Sequence, residues 1–220
     1  MQKIMVNVVK QGDVVYDLGA NNGLHGLLMS GLVGPTGKVC NFEPFEGNAK
    51  EIVENYAFNN ITNYENIIAA VSDKNGKEIF YLGDHHKQGA IMPGAEMDIN
   101  TIEVATLTLD SFIESGNPPP AFIKMDIEGA EGRALKGFSK YIDRYLPLMI
   151  IELHTPEQDR EVGLFLQAHG YSAYRFDTFK KLHFTPITDF SKVHPAPEGI
   201  WGSLFCLPPG KKLDHFTFEK

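Results

Sequence analysis

A short apolar run that ends in a glycine-rich turn is the feature that most constrains this chain. Residues 14–23 read VVYDLGANNG, and a stretch with helical patterning begins at Leu24. A strand, a tight turn and a helix start bring backbone N–H groups and the positive end of a helix dipole close to a ligand. Gly19 and Gly23 allow backbone angles and close approaches that a Cβ would forbid. The run predicts a ligand-binding βα unit, with an ordinary βα turn of an α/β protein as the alternative.

Two classes of ligand use such a turn. A dinucleotide needs the pattern Gly-x-Gly-x-x-Gly because its pyrophosphate lies against bare backbone, and Asn21 replaces the second glycine here. S-adenosylmethionine has no phosphate and carries an ammonium and a sulfonium group. Asp17 before the turn and Asn21 within it suit that ligand better. S-adenosylmethionine is therefore the favoured interpretation, and NAD is the weaker one.

Composition indicates an ordinary globular protein. The chain has 220 residues, 43% of them hydrophobic and 22% charged, and we expect a single domain over residues 1–220. The net charge of −8 argues against a nucleic-acid partner or an anionic membrane surface. Cys40 and Cys206 form no Cys-x-x-Cys motif, which argues against a disulfide framework or zinc site and favours a reducing compartment.

The first ten residues lack the apolar stretch of a signal peptide, and the sequence has no apolar run near the ~18 residues of a membrane helix. We therefore expect a cytoplasmic protein with no membrane partner. The first strand is predicted by residue 14, so we also expect an N-terminal segment that is short or missing. The oligomeric state stays open.

Apolar runs alternate with helical patterns, which predicts an α/β fold with a doubly wound, mostly parallel sheet. Near-continuous apolar runs fit strands that are buried on both faces. Predicted strands cover residues 14–18, 38–42, 66–71, 78–82, 99–105, 121–125, 148–153, 172–175 and 204–207; predicted helices cover 24–32, 46–59, 108–115, 130–144 and 157–169. Two long segments, residues 82–100 and 184–202, interrupt this alternation. For each, a lid or binding loop and a plain surface insertion are equal alternatives.

Acidic residues or histidine stand at the ends of five predicted strands. In open α/β sheets, ligands bind beyond the carboxyl ends of the strands, close to the point where strand order reverses. One such residue could be a surface charge or a helix cap, but five favour a polar site. The residues are Asp17, Glu43, Asp73, Asp126 with Glu128, and Glu152 with His154.

Glu43 lies 20 residues beyond Gly23, where an acidic side chain can accept both ribose hydroxyls of a nucleoside. NAD and S-adenosylmethionine share that contact, so Glu43 does not separate them. A role as a capping acid for the following helix is less favoured because Pro44 intervenes.

Strand alternation predicts that Asp126 and Glu128 share one side, and that Glu152 and His154 share another. Asp126 and Glu128 are placed to meet a substrate, a cofactor or a cation, whereas Glu131, in the first turn of the next helix, has a structural explanation. A histidine beside carboxylates can serve as a base with a raised pKa. A hydrogen-bonded structural histidine is the equal alternative for His154.

Taken in order, these segments resemble the FkbM family of S-adenosylmethionine-dependent methyltransferases. The resemblance covers residues 12–154 and rests on GDVVYDLGANNG at 12–23, FEP at 42–44, AVSD at 70–73, TLD at 108–110, IKMDIEGAE at 123–131 and IELH at 151–154. It implies a class I methyltransferase fold, Rossmann-like, with a seven-stranded sheet whose last strand is antiparallel. It also implies O-methylation of a hydroxyl on a sugar or natural-product-type small molecule.

The resemblance further implies how the site residues divide their roles. The methionine part of the cofactor would be held by Asp17, Gly19, Asn21 and Gly23, the ribose by Glu43 and the adenine by Val71 and Ser72. Asp126 would sit beside the reacting methyl group.

Three hypotheses follow for function. In the first, the acceptor oxygen attacks the methyl group while a base removes its proton, with His154 as the first candidate and Asp126 and Glu128 next. A Mg²⁺ ion held by these three residues is possible, but no spacing motif demands it. The second hypothesis is a nucleotide-binding module without catalysis, and the third, least favoured, is an NAD-dependent oxidoreductase.

Overall fold

In the part of the chain that the structure describes, two β-sheets, one of eight strands and one of four, form the frame. The computed structural model describes residues 1–83, 89–91, 100–154, 156–177, 182–193 and 202–215. The helices are α1 (Gln2–Val8), α2 (Leu24–Val33), α3 (Glu46–Phe58), α4 (Leu109–Glu114), α5 (Glu131–Lys136), α6 (Ile142–Tyr145) and α7 (Pro156–Ala168). The strands are β1 (Val14–Leu18), β2 (Lys38–Phe42), β3 (Tyr64–Ile67), β4 (Ala70–Val71), β5 (Gly76–Leu82), β6 (Gly89–Ile91), β7 (Thr101–Leu107), β8 (Phe122–Met125), β9 (Leu148–Leu153), β10 (Ser172–Asp177), β11 (His183–Pro186) and β12 (Gly202–Leu207).

The large sheet has the strand order β11-β10-β12-β9-β8-β1-β2-β3. Its five strands from β9 to β3 are mutually parallel, and β12 lies antiparallel between β9 and β10. The predicted α/β class, mostly parallel sheet and late antiparallel strand are thus confirmed. The count differs, because β11 pairs antiparallel with β10 and adds an eighth strand at the edge. Residues 184–186 of this strand lie in the long segment 184–202, for which the sequence predicts a lid, a binding loop or a plain surface insertion.

The small sheet has the order β4-β7-β5-β6 and is mainly antiparallel. It carries the polar segment between β3 and α4, where the sequence predicted only short strand pieces. Residues 84–88 and 92–99, which include His85, His86, Pro93 and Gly94, lie outside the described residues, as does 194–201 with its predicted loop.

The hydrophobic core occupies both faces of the large sheet. Val15 and Tyr16 are fully buried neighbours, yet they belong to separate apolar clusters on opposite faces. Successive strand residues point to opposite sides, so both must be apolar when helices cover both faces. Ile150 and Ile151 on β9 repeat this division. The near-continuous apolar runs of the sequence have this cause.

The predicted strand 66–71 is wrong as a single element. β3 pairs with β2 in the large sheet, whereas β4 pairs with β7 in the small one. The chain changes sheets between them, and Ile68 at the change is 52% exposed. Hydrophobic patterning records burial but not the partner strand, so it gave no sign of the change.

The predicted helix 130–144 is also wrong in extent, because the segment forms two short helices, α5 and α6. Gly137 follows α5, and a Cβ there would lie 2.1 Å from the Ser72 carbonyl oxygen. The Gly137 carbonyl accepts a hydrogen bond from the Asp110 N–H at 2.9 Å. This tertiary contact ends the helix where local propensity would have continued it.

Helix α1 precedes the first strand and was not predicted. Ile4 and Met5 on this helix are fully buried in the cluster that covers one face of the sheet. Thr108 accepts a hydrogen bond from the Ser111 N–H at 3.0 Å as N-cap of α4, and Gly170 after α7 has a φ of +69°.

Cys40 and Cys206 are both buried and form no disulfide, as the sequence predicted. Within the described part of the chain, every helix is too short or too polar to cross a membrane.

Candidate active site

A cavity of about 310 Å³ opens where β1, β2 and β8 end, and strands of the small sheet form its opposite wall. Two segments bound its polar side: the glycine turn, residues 19–23, and the acidic loop, residues 126–130. The cavity is lined by Gly19, Ala20, Asn21, Asn22, Leu24, His25, Phe42, Glu43, Pro44, Phe45, Asn48, Ala70, Val71, Phe80, Leu82, Gly89, Ile91, Lys124, Asp126, Ile127, Glu128 and Ala130.

Six of the ten predicted site residues line this cavity, namely Gly19, Asn21, Glu43, Val71, Asp126 and Glu128. The other four, Asp17, Gly23, Ser72 and His154, are not among the lining residues. Asp17 contacts Lys124 and His154 contacts Asp126, and both of these partners line the cavity. Asp17 and His154 would therefore influence a ligand in the cavity indirectly.

The glycine turn has the conformation that its residues predicted. Gly19 and Gly23 have φ values of +73° and +83°, and Asn21 between them is also left-handed at +51°. A Cβ on Gly19 would lie 1.9 Å from the Asp126 carbonyl oxygen. Glycine is therefore required at position 19 for two reasons. Its φ is positive, and the acidic loop crosses the turn at this point.

Glu43 lines the cavity and also accepts hydrogen bonds from the surrounding backbone. Its carboxylate accepts the N–H of Asn21 at 2.8 Å and that of Phe45 at 3.0 Å, and the side chain of Asn48 donates at 3.3 Å. Burial raises the pKa of Glu43 to about 7, against the lowering effect of these three donors. Phe45 is the N-cap residue of α3, so Glu43 contacts the start of this helix although Pro44 intervenes.

Lys124 is a buried cation that sequence reasoning missed. Its ammonium donates to the Gly19 carbonyl at 2.8 Å and lies 3.1 Å from Asp17 Oδ1 and 3.7 Å from Asp126 Oδ2. Burial opposes the charge, but the two carboxylates outweigh it and raise the pKa of Lys124. The available signal was a lysine inside the otherwise apolar strand β8, which reads FIKM.

The acidic loop is held in a strained shape by Glu131. Glu128 has a φ of +55°, a conformation that non-glycine residues rarely adopt and that often marks functional sites. The fully buried Glu131 accepts the N–H groups of Ile127 and Gly129, each at 3.2 Å. Glu131 therefore has the structural place that its helix position suggested.

His154 lies among three carboxylates. Its Nδ1 is 2.9 Å from Glu131 Oε1, and its Nε2 is 3.4 Å from Asp126 Oδ1 and 3.5 Å from Glu128 Oε2. Burial lowers the pKa of His154, but the hydrogen bond to Glu131 and the nearby negative charges outweigh it and raise the pKa to about 9. The imidazole is therefore protonated at neutral pH. A protonated histidine cannot accept a proton, which weighs against the first choice of base.

Three ligand atoms, from Asp126, Glu152 and His154, lie within 4.8 Å of one another and could hold a metal ion. Glu152 takes the position that the sequence had given to Glu128. Magnesium prefers oxygen ligands, and an imidazole binds a metal only in its neutral form. This set of two carboxylates and one imidazole therefore fits Mg²⁺ less well than an all-oxygen set would.

The third predicted strand end contributes less than expected. Val71 lines the cavity, but Ser72 is fully buried and Asp73 pairs with Arg133 at 2.7 Å. Arg133 lies on α5 and also forms an ion pair with Glu78 on β5. The Arg133–Glu78 pair therefore joins α5 to the small sheet.

His25 in the first turn of α2 also lines the cavity and was not predicted. Burial lowers the pKa of His25, whereas the pKa of His154 is raised. At neutral pH, His25 is therefore neutral and His154 is charged. Its only sequence signal was its place two residues after the glycine turn.

Comparison with known proteins identifies the family of this chain. A family model for the methyltransferase FkbM domain matches residues 17–173, which is more than half of the chain. The chain belongs to the FkbM family. The matched region includes the glycine turn, Glu43, the acidic loop and His154.

This FkbM chain is 24% identical over 165 residues to the hexuronic acid methyltransferase AglP of Haloferax volcanii. The match spans 74% of this chain and 65% of that protein, so it covers less than two thirds of the curated relative.

Solved structures extend the likeness in fold. The crystal structure of methyltransferase FkbM from Methylobacillus flagellatus KT matches with a TM-score of 0.55 and 19% identity over 88% of this chain and 43% of that one. An rRNA methylase from Streptococcus thermophilus matches with a TM-score of 0.52 and 13% identity over 94% and 93%. At these identities the likeness concerns the fold alone.

Proposed function

We propose that this FkbM-family chain is an S-adenosylmethionine-dependent methyltransferase that O-methylates a hydroxyl of a sugar-type small molecule. The observation that carries the proposal is one cavity bounded by the glycine turn and Glu43 on one side and by the acidic loop on the other. A candidate cofactor site and a candidate proton-accepting site would thus share one cavity. A purely nucleotide-binding module has no need of the second.

The lining residues fit the cofactor in chemical terms. S-adenosylmethionine would supply an electrophilic methyl group. The glycine turn would hold its amino-acid end, Glu43 would accept the ribose hydroxyls, and Val71 would lie along the adenine. Asp17 and Ser72 are fully buried, so their predicted contacts would act through neighbouring residues. The turn still lacks the glycine pattern of a dinucleotide site, which disfavours the NAD-dependent alternative.

The acceptor proposal has separate support. The relative AglP acts, by its name, on a hexuronic acid, and the net charge of −8 argues against a nucleic-acid substrate. The fold is shared with an rRNA methylase, so the absence of a nucleic-acid partner rests on charge alone. A small hydroxyl acceptor is the reading that both the relative and the charge favour.

We assign the proton transfer to the acidic loop, with Glu128 as the leading base. Glu128 lines the cavity, and burial followed by its acidic neighbours raises its pKa, against the lowering effect of His154. A carboxylate with a raised pKa is a better proton acceptor, and such a base contributes roughly 10²–10⁴-fold. Asp126 would orient the hydroxyl, and protonated His154 would hold both carboxylates in place.

Transfer of a labelled methyl group from S-adenosylmethionine tests the proposal. The acceptors are methyl β-D-glucuronide, methyl β-D-glucoside and a single-stranded RNA oligonucleotide. We expect label on a sugar and about 10²-fold less with Glu128→Gln, while the exposed-site control Glu103→Gln keeps the wild-type rate. Label on the RNA alone, or on none of the three, contradicts the proposal. We expect full activity after chelation with EDTA. A loss of activity that added Mg²⁺ restores would instead support the Mg²⁺ alternative.

A further inference from the structure

We propose that Lys124 is a positioning residue that fixes the acidic loop against the glycine turn, and so sets where Asp126 stands relative to the methyl donor. The proposal rests on the proposed function, and it concerns a residue for which the sequence gave no role. Lys124 lies on β8, two residues before Asp126 and beside β1, which carries the turn.

One ammonium group contacts both segments. The Lys124 ammonium donates a hydrogen bond to the Gly19 carbonyl at 2.8 Å and makes ion pairs with Asp17 at 3.1 Å and Asp126 at 3.7 Å. The first belongs to the glycine turn and the last to the acidic loop. Because its charged group contacts these protein groups, we expect Lys124 to act on a ligand through them.

The surroundings keep this cation in place. The side chain of Lys124 is 2% exposed and that of Asp17 is fully buried, so the ammonium has no solvent to turn toward. Neutralising Asp17 would require only one ion pair. A lysine that only balanced the charge of Asp17 would not need the further contacts with Gly19 and Asp126.

Asp126 is consequently held from two sides. Its Oδ2 faces Lys124 at 3.7 Å, and its Oδ1 faces His154 Nε2 at 3.4 Å. The backbone adds a third constraint, because the Asp126 N–H donates to the Leu18 carbonyl at 3.1 Å. Loss of Lys124 would free one oxygen of Asp126 and loosen the crossing with Gly19. Misplacement of a reacting group by about 1 Å can cost about 10²-fold in rate.

The test compares Asp17→Asn with the double variant Asp17→Asn, Lys124→Met. Lys124→Met alone would leave Asp17 buried without its cation, which can prevent folding. In the double variant both members of the buried pair are neutral, so the protein should fold as Asp17→Asn does. The difference between these two proteins isolates the contacts of Lys124 with Gly19 and Asp126.

We expect kcat for methyl transfer to methyl β-D-glucuronide to be about 10²-fold lower in the double variant than in Asp17→Asn, with KM for the sugar changed little. Deuterium exchange of residues 126–130, measured without ligand, should be faster in the double variant, while exchange in β9 stays the same. A structural role limited to balancing Asp17 would leave both quantities unchanged, and that result overturns the proposal.

The two proposals fail separately. Wild-type protein that transfers no methyl group would contradict the proposed function, yet the exchange experiment would still decide whether Lys124 joins the acidic loop to the glycine turn. Wild-type activity with equal kcat and equal exchange in the two variants would contradict the role of Lys124 alone.

Discussion

His154 Nδ1 lies 2.9 Å from Glu131 Oε1, and this contact raises the pKa of His154. Glu131 is fully buried and also accepts two N–H groups of the acidic loop, so it cannot turn away from the histidine. The imidazole stays protonated at neutral pH, with its other nitrogen facing Asp126 and Glu128. His154, the first candidate base in the sequence, is therefore better suited to hold Asp126 and Glu128, and we propose Glu128 as the base.

The pH profile of kcat separates these two roles of His154. If Glu128 is the base, activity rises with pH through a value above 4.5, because burial raises the pKa of Glu128, and falls as pH passes about 9, where His154 loses its proton. If His154 is the base, activity keeps rising up to about pH 9. Initial rates between pH 5 and pH 10 with saturating sugar and S-adenosylmethionine distinguish a bell from a single rise.

Folding stability should depend on His154 in the same pH range. The pKa of His154 is raised from 6.5 to about 9, so its stabilising effect is fully present below pH 6.5 and is lost as pH rises through 9. We expect the free energy of unfolding to fall by up to about 3 kcal/mol across this range in the wild type. Urea unfolding of His154→Gln should lack this fall, while His169→Gln, at the surface pair with Asp143, should retain it. An unchanged pH dependence in His154→Gln contradicts the assignment.

Cofactor affinity should depend on the protonation of Glu43. Burial raises its pKa to about 7, and the carboxylate form is the one that can accept two ribose hydroxyls. Affinity for S-adenosylhomocysteine should therefore increase about tenfold from pH 6 to pH 8, as the competent fraction grows. Calorimetry on Glu43→Gln should give weak binding with little pH dependence, and the exposed neighbour Glu46→Gln serves as the control. Equal pH dependence in all three proteins would rule out this role.

Two glycines near the same helix should respond in opposite ways to alanine. Gly19 has a positive φ and would place a Cβ 1.9 Å from the Asp126 carbonyl, so Gly19→Ala should be strongly destabilised and bind S-adenosylhomocysteine poorly. Gly31 in α2 has open space around its Cα and an ordinary φ, so Gly31→Ala should stabilise the protein by about 1 kcal/mol. Thermal unfolding of both variants checks the pair, and a neutral Gly19→Ala would mean that the turn is not packed as described.

Much of the frame could be read from the sequence because its signals are local. Apolar runs and turn glycines located β1, β2, β8 and β9, and the placement of acidic residues at their ends located the cavity. The chain's change of sheet at Ile68 and the helix end at Gly137 depend on distant partners, so patterning could not supply them.

The electrostatics of the site were the harder part to predict. Sequence spacing brought Asp126, Glu128 and His154 together, but the protonation of His154 depends on Glu131, whose position in a first helical turn had an ordinary explanation. Lys124 was overlooked because a single lysine in an apolar strand gives no sign that the carboxylates of Asp17 and Asp126 face it.

Calorimetric binding of S-adenosylhomocysteine, with NAD as the comparison ligand, tests the central claim most directly. We expect micromolar binding of S-adenosylhomocysteine and no binding of NAD. Binding of NAD alone, or of neither ligand, would contradict the assignment of this cavity to a methyl donor.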